Sequence, residues 1–193
     1  MNYRRLIDWG AYLAEIQEIG ALDDVEEAAA REKLLDEIQE KILDYNQHIY
    51  EYNHRQHCKS IEARGLRFKS ISKRTAVRKW DAFFASELSP ETKKEIHYRQ
   101  FKWHMFSYEK VNAKAGANAK RAFNCCKKDG AYLFFQCKDE AWYIENAQLL
   151  AAADLRVDES FQLADMYLFD ENGKWAYAQT HEGSCGPYFF RKK

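Results

Sequence analysis

The chain has 193 residues, 46% of them apolar, and Lys+Arg 30 balances Asp+Glu 30. That apolar content excludes a disordered chain, and the length suits one ordinary domain with room for a small appendage. No apolar run nears the roughly 20 residues of a membrane helix, and Asp8 and Glu15 interrupt the stretch after Arg5, so neither a span nor a secretory signal is expected and a cytoplasmic protein is.

The first half reads as helix. Leu6, Trp9, Leu13 and Ile16 follow 3–4 spacing, and Gly20 is placed to end that helix. Asp23 then reads as an N-cap, with Glu26 completing a capping box. From Leu35 through Ile38, Ile42, Tyr45, Ile49 and Tyr52 the apolar positions alternate by three and four, an a/d seam. A helical hairpin over residues 1–60 explains both stripes, and dimerisation through the long helix would also satisfy the seam.

Charge divides sharply along this half. Residues 1–54 are acidic, with Glu37, Glu40 and Asp44 on the long helix and only Arg4, Arg5, Arg31, Lys33 and Lys41 against them. The following stretch, Arg55 to Lys79, is basic with Glu62 as its single acid. The two could pair with each other, or the run Arg64–Lys79 could meet nucleic acid, which zero net charge disfavours. Residues 61–76 read as a basic connection of weak periodicity, leaving 77–193 as a second domain.

In that second part Val77, Trp80, Phe84 and Leu88 outline an amphipathic helix. Ser89-Pro90-Glu91 starts another: serine caps, proline suits the first turn and glutamate its positive end. Residues 98–112 fit neither period, and 117–127 read as a short helix. After Gly130 the pattern turns to strand. Ala131–Phe135 and Ala141–Ile144 form one hairpin around Lys138-Asp139-Glu140. Met166–Glu171 and Lys174–Thr180 form another around Asn172-Gly173, a pair suited to a type I′ turn. A two-residue loop sets Leu168 opposite Tyr177 and Met166 opposite Gln179, with His181 continuing that face. Apolar groups on both faces make this hairpin central, and Tyr188-Phe189-Phe190 can add a last strand. The fold class is therefore α+β: an N-terminal helical hairpin, then helices packed on a C-terminal antiparallel sheet.

Signatures of chemistry are sparse. No phosphate-binding loop, dinucleotide fingerprint, zincin helix or serine-hydrolase elbow is present. Five cysteines, an odd number, suit free thiols in a reducing compartment, and the adjacent Cys125-Cys126 lacks zinc-ligand spacing, so no metal and no cofactor is expected. His48, His54 and His57 beside Cys58 are badly spaced for a shared metal and suit a helix C-terminus. The remaining candidates are His104 and the run Thr180–Phe189. There His181 can exchange a proton near neutrality, Glu182 can accept one, Gly183 and Gly186 allow a tight turn, and Cys185 could serve as a thiol nucleophile. The ordinary reading of the same run is a strand-ending turn.

Trp103–Tyr108 (W-H-x-F-S-Y), Asp165-Met166-Tyr167 and Thr180–Phe189 (T-H-E-x-x-x-G-P-Y-F) resemble an uncharacterised bacterial domain-of-unknown-function family, over roughly residues 77–190. The resemblance implies a small α+β domain and transfers no functional residue.

Two functions follow as expectations. The first is a non-enzymatic protein-interaction module, in one form an immunity-type protein, whose acidic arm with Glu37, Glu40 and Asp44 meets a basic partner or a second copy. The second is a small hydrolase or nucleic-acid-processing enzyme. It would use His181 as base, Glu182 or Asp165 as orienter and His104 as the second acid or base, in a shared cleft.

Overall fold

The computed structural model describes residues 16–155, 165–182 and 184–192, and its contacts divide the chain into two units, Met1–Ser60 and Ile61–Lys193.

In the first unit the stripe Leu6, Trp9 and Leu13 lies outside the described residues, while residues 16–19 are helical. Helix α1 runs Val25–Ala63 and crosses into the second unit at its end. Its cap is Asp24 and not Asp23: Asp24 Oδ1 accepts the main-chain N–H of Glu26 at 3.0 Å and of Glu27 at 3.1 Å. The helix thus starts one residue later than the Asp23–Glu26 box implies, and Glu27 is released to pair with Arg31 at 2.8 Å. The a/d seam resolves into two rows. Leu35 and Ile42 are half-buried and Ile49 is buried, whereas Ile38, Tyr45 and Tyr52 stay 49%, 47% and 38% exposed.

The second unit carries a seven-stranded sheet in the order β1-β4-β3-β5-β6-β7-β2, with every neighbouring pair antiparallel. The strands are β1 (Arg67–Ser72), β2 (Lys114–Ala115), β3 (Ala131–Phe135), β4 (Glu140–Glu145), β5 (Met166–Asp170), β6 (Trp175–Gln179) and β7 (Tyr188–Arg191). Around them lie α2 (Lys73–Phe84), α3 (Pro90–Glu95), α4 (His104–Ser107) and α5 (Gly116–Cys125). This is the expected α+β arrangement.

Two elements differ from expectation. The basic stretch read as a connection forms edge strand β1, where Phe68 pairs with Ile144 and Ile71 with Ala141. Its apolar residues are three apart, so no alternation betrays the strand. Two of its charges are paired within its own unit: Arg64 to Asp154 at 2.9 Å and Lys69 to Glu145. The β5–β6 hairpin keeps the expected register, Met166 opposite Gln179 and Leu168 opposite Tyr177, but its turn is not type I′. Only Gly173 has positive φ, 70°. The reversal centres on Glu171 and Asn172, with the Gly173 N–H donating to the Asp170 carbonyl at 2.9 Å. Asp170 Oδ2 also accepts the N–H groups of Asn172 and Lys174, at 3.0 and 3.1 Å, so a side chain sets the turn.

Strand alternation sends apolar side chains to both faces of the sheet. One face holds Leu133, Ile144, Met166, Leu168, Trp175 and Tyr177 under Phe123 of α5 and the final residues of α1. The other holds Phe134, Tyr167, Phe169 and Ala176 under α2 and the segment Ile96–Phe106. Trp80 of α2 is fully buried there, with the rings of Phe134, Tyr167 and Phe169 at 5.9, 5.1 and 5.6 Å. Each fully buried ring of this size is worth about 1.5–3 kcal/mol. Helix α3 begins as its sequence dictates: Ser89 Oγ accepts the Thr92 N–H at 3.1 Å and Pro90 occupies the first turn.

Candidate functional site

Three separated stretches meet at one end of the sheet: the residue before β5, the residues after β6 and the turn into α4. Asp165 is 1% exposed. Its Oδ1 accepts the His181 main-chain N–H at 3.0 Å and stands 2.8 Å from His181 Nδ1, while its Oδ2 accepts the Trp103 indole N–H at 2.9 Å. A buried carboxylate is tolerated only when hydrogen-bonded, and three donors provide for this one.

These bonds fix the chemistry of the ring. A carboxylate on Nδ1 holds the proton there and leaves Nε2 as the basic nitrogen of neutral His181. His104 is held in the same tautomer: its Nδ1 lies 2.6 Å from the Ile96 carbonyl, which can only accept. Phe101 is the neighbour of both imidazoles, at 4.9 Å from His104 and 5.9 Å from His181 between ring centroids. Trp103 packs edge-on to His104 at 4.4 Å and lies nearly parallel to Tyr188 at 6.3 Å. The side chain of His181 keeps 22% exposure, enough for solvent to reach the ring.

Of the residues singled out from sequence, His104 and His181 are therefore neighbours of one ring, and Asp165, not Glu182, orients His181. The expectation that His181 continues the face of Leu168 and Tyr177 fails. Strand β6 ends at Gln179, alternation lapses, and the ring turns to the face holding Trp103 and Phe101. Glu182 is exposed, and its carbonyl accepts from the Thr180 hydroxyl at 3.0 Å. Burial raises the pKa of the Cys185 thiol and the neighbouring Glu182 raises it further, opposite to the shift that would activate it as a nucleophile. Gly186 takes φ 78° in the turn that leads to β7; Gly183 lies outside the described residues. Trp103 and Phe101 are not among the site residues that the sequence singles out. Their aromatic character signals packing, and only the fold brings them to the histidines. Among the described residues no cluster of His, Cys, Asp and Glu could hold a metal ion, and no helix is long and apolar enough to cross a membrane.

The acidic candidates belong to the first unit. Glu37, Glu40 and Asp44 are all exposed on α1, and Asp44 meets Lys41 of the same helix at 3.9 Å. Glu37 and Asp44 fall one heptad apart beside the open row of Ile38, Tyr45 and Tyr52.

A family model described as a domain of unknown function (DUF4275) matches residues 60–189. The matched span takes in β1 and the whole histidine site and leaves the acidic part of α1 outside. No curated protein and no solved structure gives a match.

Proposed function

We propose that this chain, which belongs to the DUF4275 family, works as a protein-interaction module that recognises a basic partner through α1. One observation carries the reading: Ile38, Tyr45 and Tyr52, spaced by heptads on a helix of 39 residues, remain 49%, 47% and 38% exposed. Leu34, 59% exposed, extends the same line by one turn. Monomeric proteins seldom leave so much aligned apolar surface open, and such stripes mark binding faces. Glu37 and Asp44 edge the stripe and Glu40 lies beyond them, so a partner with an apolar ridge flanked by lysine or arginine would complete it. An immunity-type protein capping a basic effector is one protein of this kind.

The test replaces Tyr45 in the full chain by a photo-crosslinking phenylalanine derivative, expressed at native level in the host cell. A crosslink to a basic protein, lost on Ile38→Asp, is the expected result. A crosslink only to a second copy would assign the stripe to self-association. Absence of any crosslink above an exposed control site would end the interaction reading.

The Asp165–His181 pair favours a second reading, a hydrolase of the acid–base type. A buried carboxylate orienting an imidazole supplies a general base, and His104, tied in the same tautomer, supplies a second. The nucleophile in this reading is water. Turnover of a panel of ester and phosphodiester substrates that is lost in both His181→Gln and Asp165→Asn would establish it. Equal turnover in the variants would remove it.

A further inference from the structure

A cleft of about 1080 Å³ opens on the far side of β7, at the edge of the sheet occupied by the short strand β2. Its apolar walls come from Phe83 and Phe84 at the end of α2, from Leu88 and Val111, and from Phe189 and Phe190 of β7. Its charged groups are Lys114, Arg191 and Lys192 against Glu87, with Lys110 paired to Glu95 at 3.6 Å, which leaves an excess of cations in a chain whose net charge is zero.

The floor of the cleft is an unfinished strand edge. Strand β2 pairs with β7 only at Lys114–Phe189 and Ala115–Tyr188. On its other side β7 continues with β6 to Arg191, and the Lys192 N–H donates to the Lys174 carbonyl at 2.9 Å. Main-chain groups of an antiparallel strand alternate in direction. Pro187, whose carbonyl accepts the Gly116 N–H at 2.8 Å, shows that odd residues of β7 face the β2 side. The N–H and C=O of Arg191 therefore face the cleft, past the end of β2. Among the described residues no strand pairs with them there.

The geometry points to a peptide-docking site: an extended acidic segment of a partner protein adds to β7 beyond β2. Its main chain bonds to Arg191, its carboxylates meet Lys114 and Arg191 on one face of the strand, and alternate apolar side chains rest on Phe84 and Phe190 on the other. Three independent features favour this class of occupant. An exposed edge asks for extended backbone, the cation excess asks for carboxylates, and the aromatic walls ask for apolar side chains at every second position. The site lies in the unit Ile61–Lys193 and selects a partner of opposite charge to the one proposed for α1.

The test titrates the peptide acetyl-EVEFEV-amide into the isotope-labelled full chain and follows backbone amide resonances. Expected are shifts concentrated at Lys114, Phe190 and Arg191, and affinity at least tenfold weaker for acetyl-KVKFKV-amide. A similar loss is expected for the Lys114→Glu/Arg191→Glu variant, whose unperturbed β5 and β6 resonances report that it remains folded. N-methylation at the central phenylalanine of the peptide separates backbone pairing from charge alone and should also abolish the shifts. Equal affinity of the two peptides, or shifts centred elsewhere, would overturn the proposal. So would the same shifts on concentrating the protein alone, which would assign the cleft to a second copy. Decanoate binding at the same residues as tightly as the peptide would make the cleft a site for acyl anions and end the strand-addition reading.

Discussion

Asp165 Oδ1 and His181 Nδ1 stand 2.8 Å apart across 16 residues of chain, and the same carboxylate holds the Trp103 indole at 2.9 Å from a third segment. The carboxylate thus ties the ends of β5 and β6 to the turn that enters α4, whichever function the imidazole serves.

Replacing Asp165 by Asn leaves one oxygen to meet three donors and points an NH₂ at one of them. Loss of a buried charged acceptor should cost about 1–3 kcal/mol of stability. Urea unfolding measures this, and the side-chain nitrogen resonances of His181 should show the Nδ1-protonated tautomer losing its dominance. A change below about 0.5 kcal/mol would mean that the three bonds do not carry the tie.

A second charged contact lies under α2. Lys102 is 7% exposed, its Nζ lies 2.8 Å from Asp81 Oδ1, and Tyr98 donates to the same oxygen at 2.7 Å. Burial lowers the pKa of Lys102, with Asp81 acting against that. Asp81→Ala strands the ammonium and should cost about 1–3 kcal/mol, discounted because the side chain of Asp81 is 41% exposed. Adding Lys102→Met should restore most of the loss. A double variant no more stable than Asp81→Ala would show that the ammonium is not the penalty.

Alkaline stability should follow the tyrosines. Burial raises the pKa of Tyr98, Tyr167 and Tyr177, and the Glu171 carboxylate, 2.7 Å away, is the main cause that raises Tyr143 from 10.0 to about 12. A proton held more tightly in the folded chain stabilises it fully below the unfolded value and is lost as pH rises through the folded one. Unfolding free energy should therefore be level with respect to these groups below about pH 10 and fall above it. Tyr143→Phe should remove part of the fall between pH 10 and about 12. Superimposable pH profiles would refute the assignment.

The β5–β6 turn separates two neighbouring residues. Gly173 has φ 70°, and a Cβ there would sit 2.5 Å from the Phe83 ring. Gly173→Ala should cost roughly 1–3 kcal/mol through strain and overlap. Asn172 has no positive φ, so Asn172→Ala should stay within about 0.5 kcal/mol. A type I′ turn would have made both substitutions costly.

The periodic elements were legible in the chain itself. The capped start at Ser89-Pro90, the β5–β6 register and the two-faced apolar pattern of that hairpin depend on interactions a few residues apart, which spacing encodes directly. Strand β1 was not legible, because an edge strand backed by one core face needs few apolar residues and Phe68 and Ile71 break alternation. Nor did spacing reveal that one row of the α1 seam is more buried than the other, since both rows are apolar at the same heptad spacing. The sequence offers Asp165 only as an alternative orienter to Glu182, which sits next to His181 in the chain yet is exposed. Sequence alone determined an α+β chain with an acidic helix, a basic stretch and a histidine pair worth locating. Tertiary structure decided that Asp165 orients His181, that Phe101 lies against both imidazoles and that β7 ends beside an open cationic cleft. Local periodicity carries no information about which distant segments meet, and the desolvation of a single carboxylate is set by all of them together.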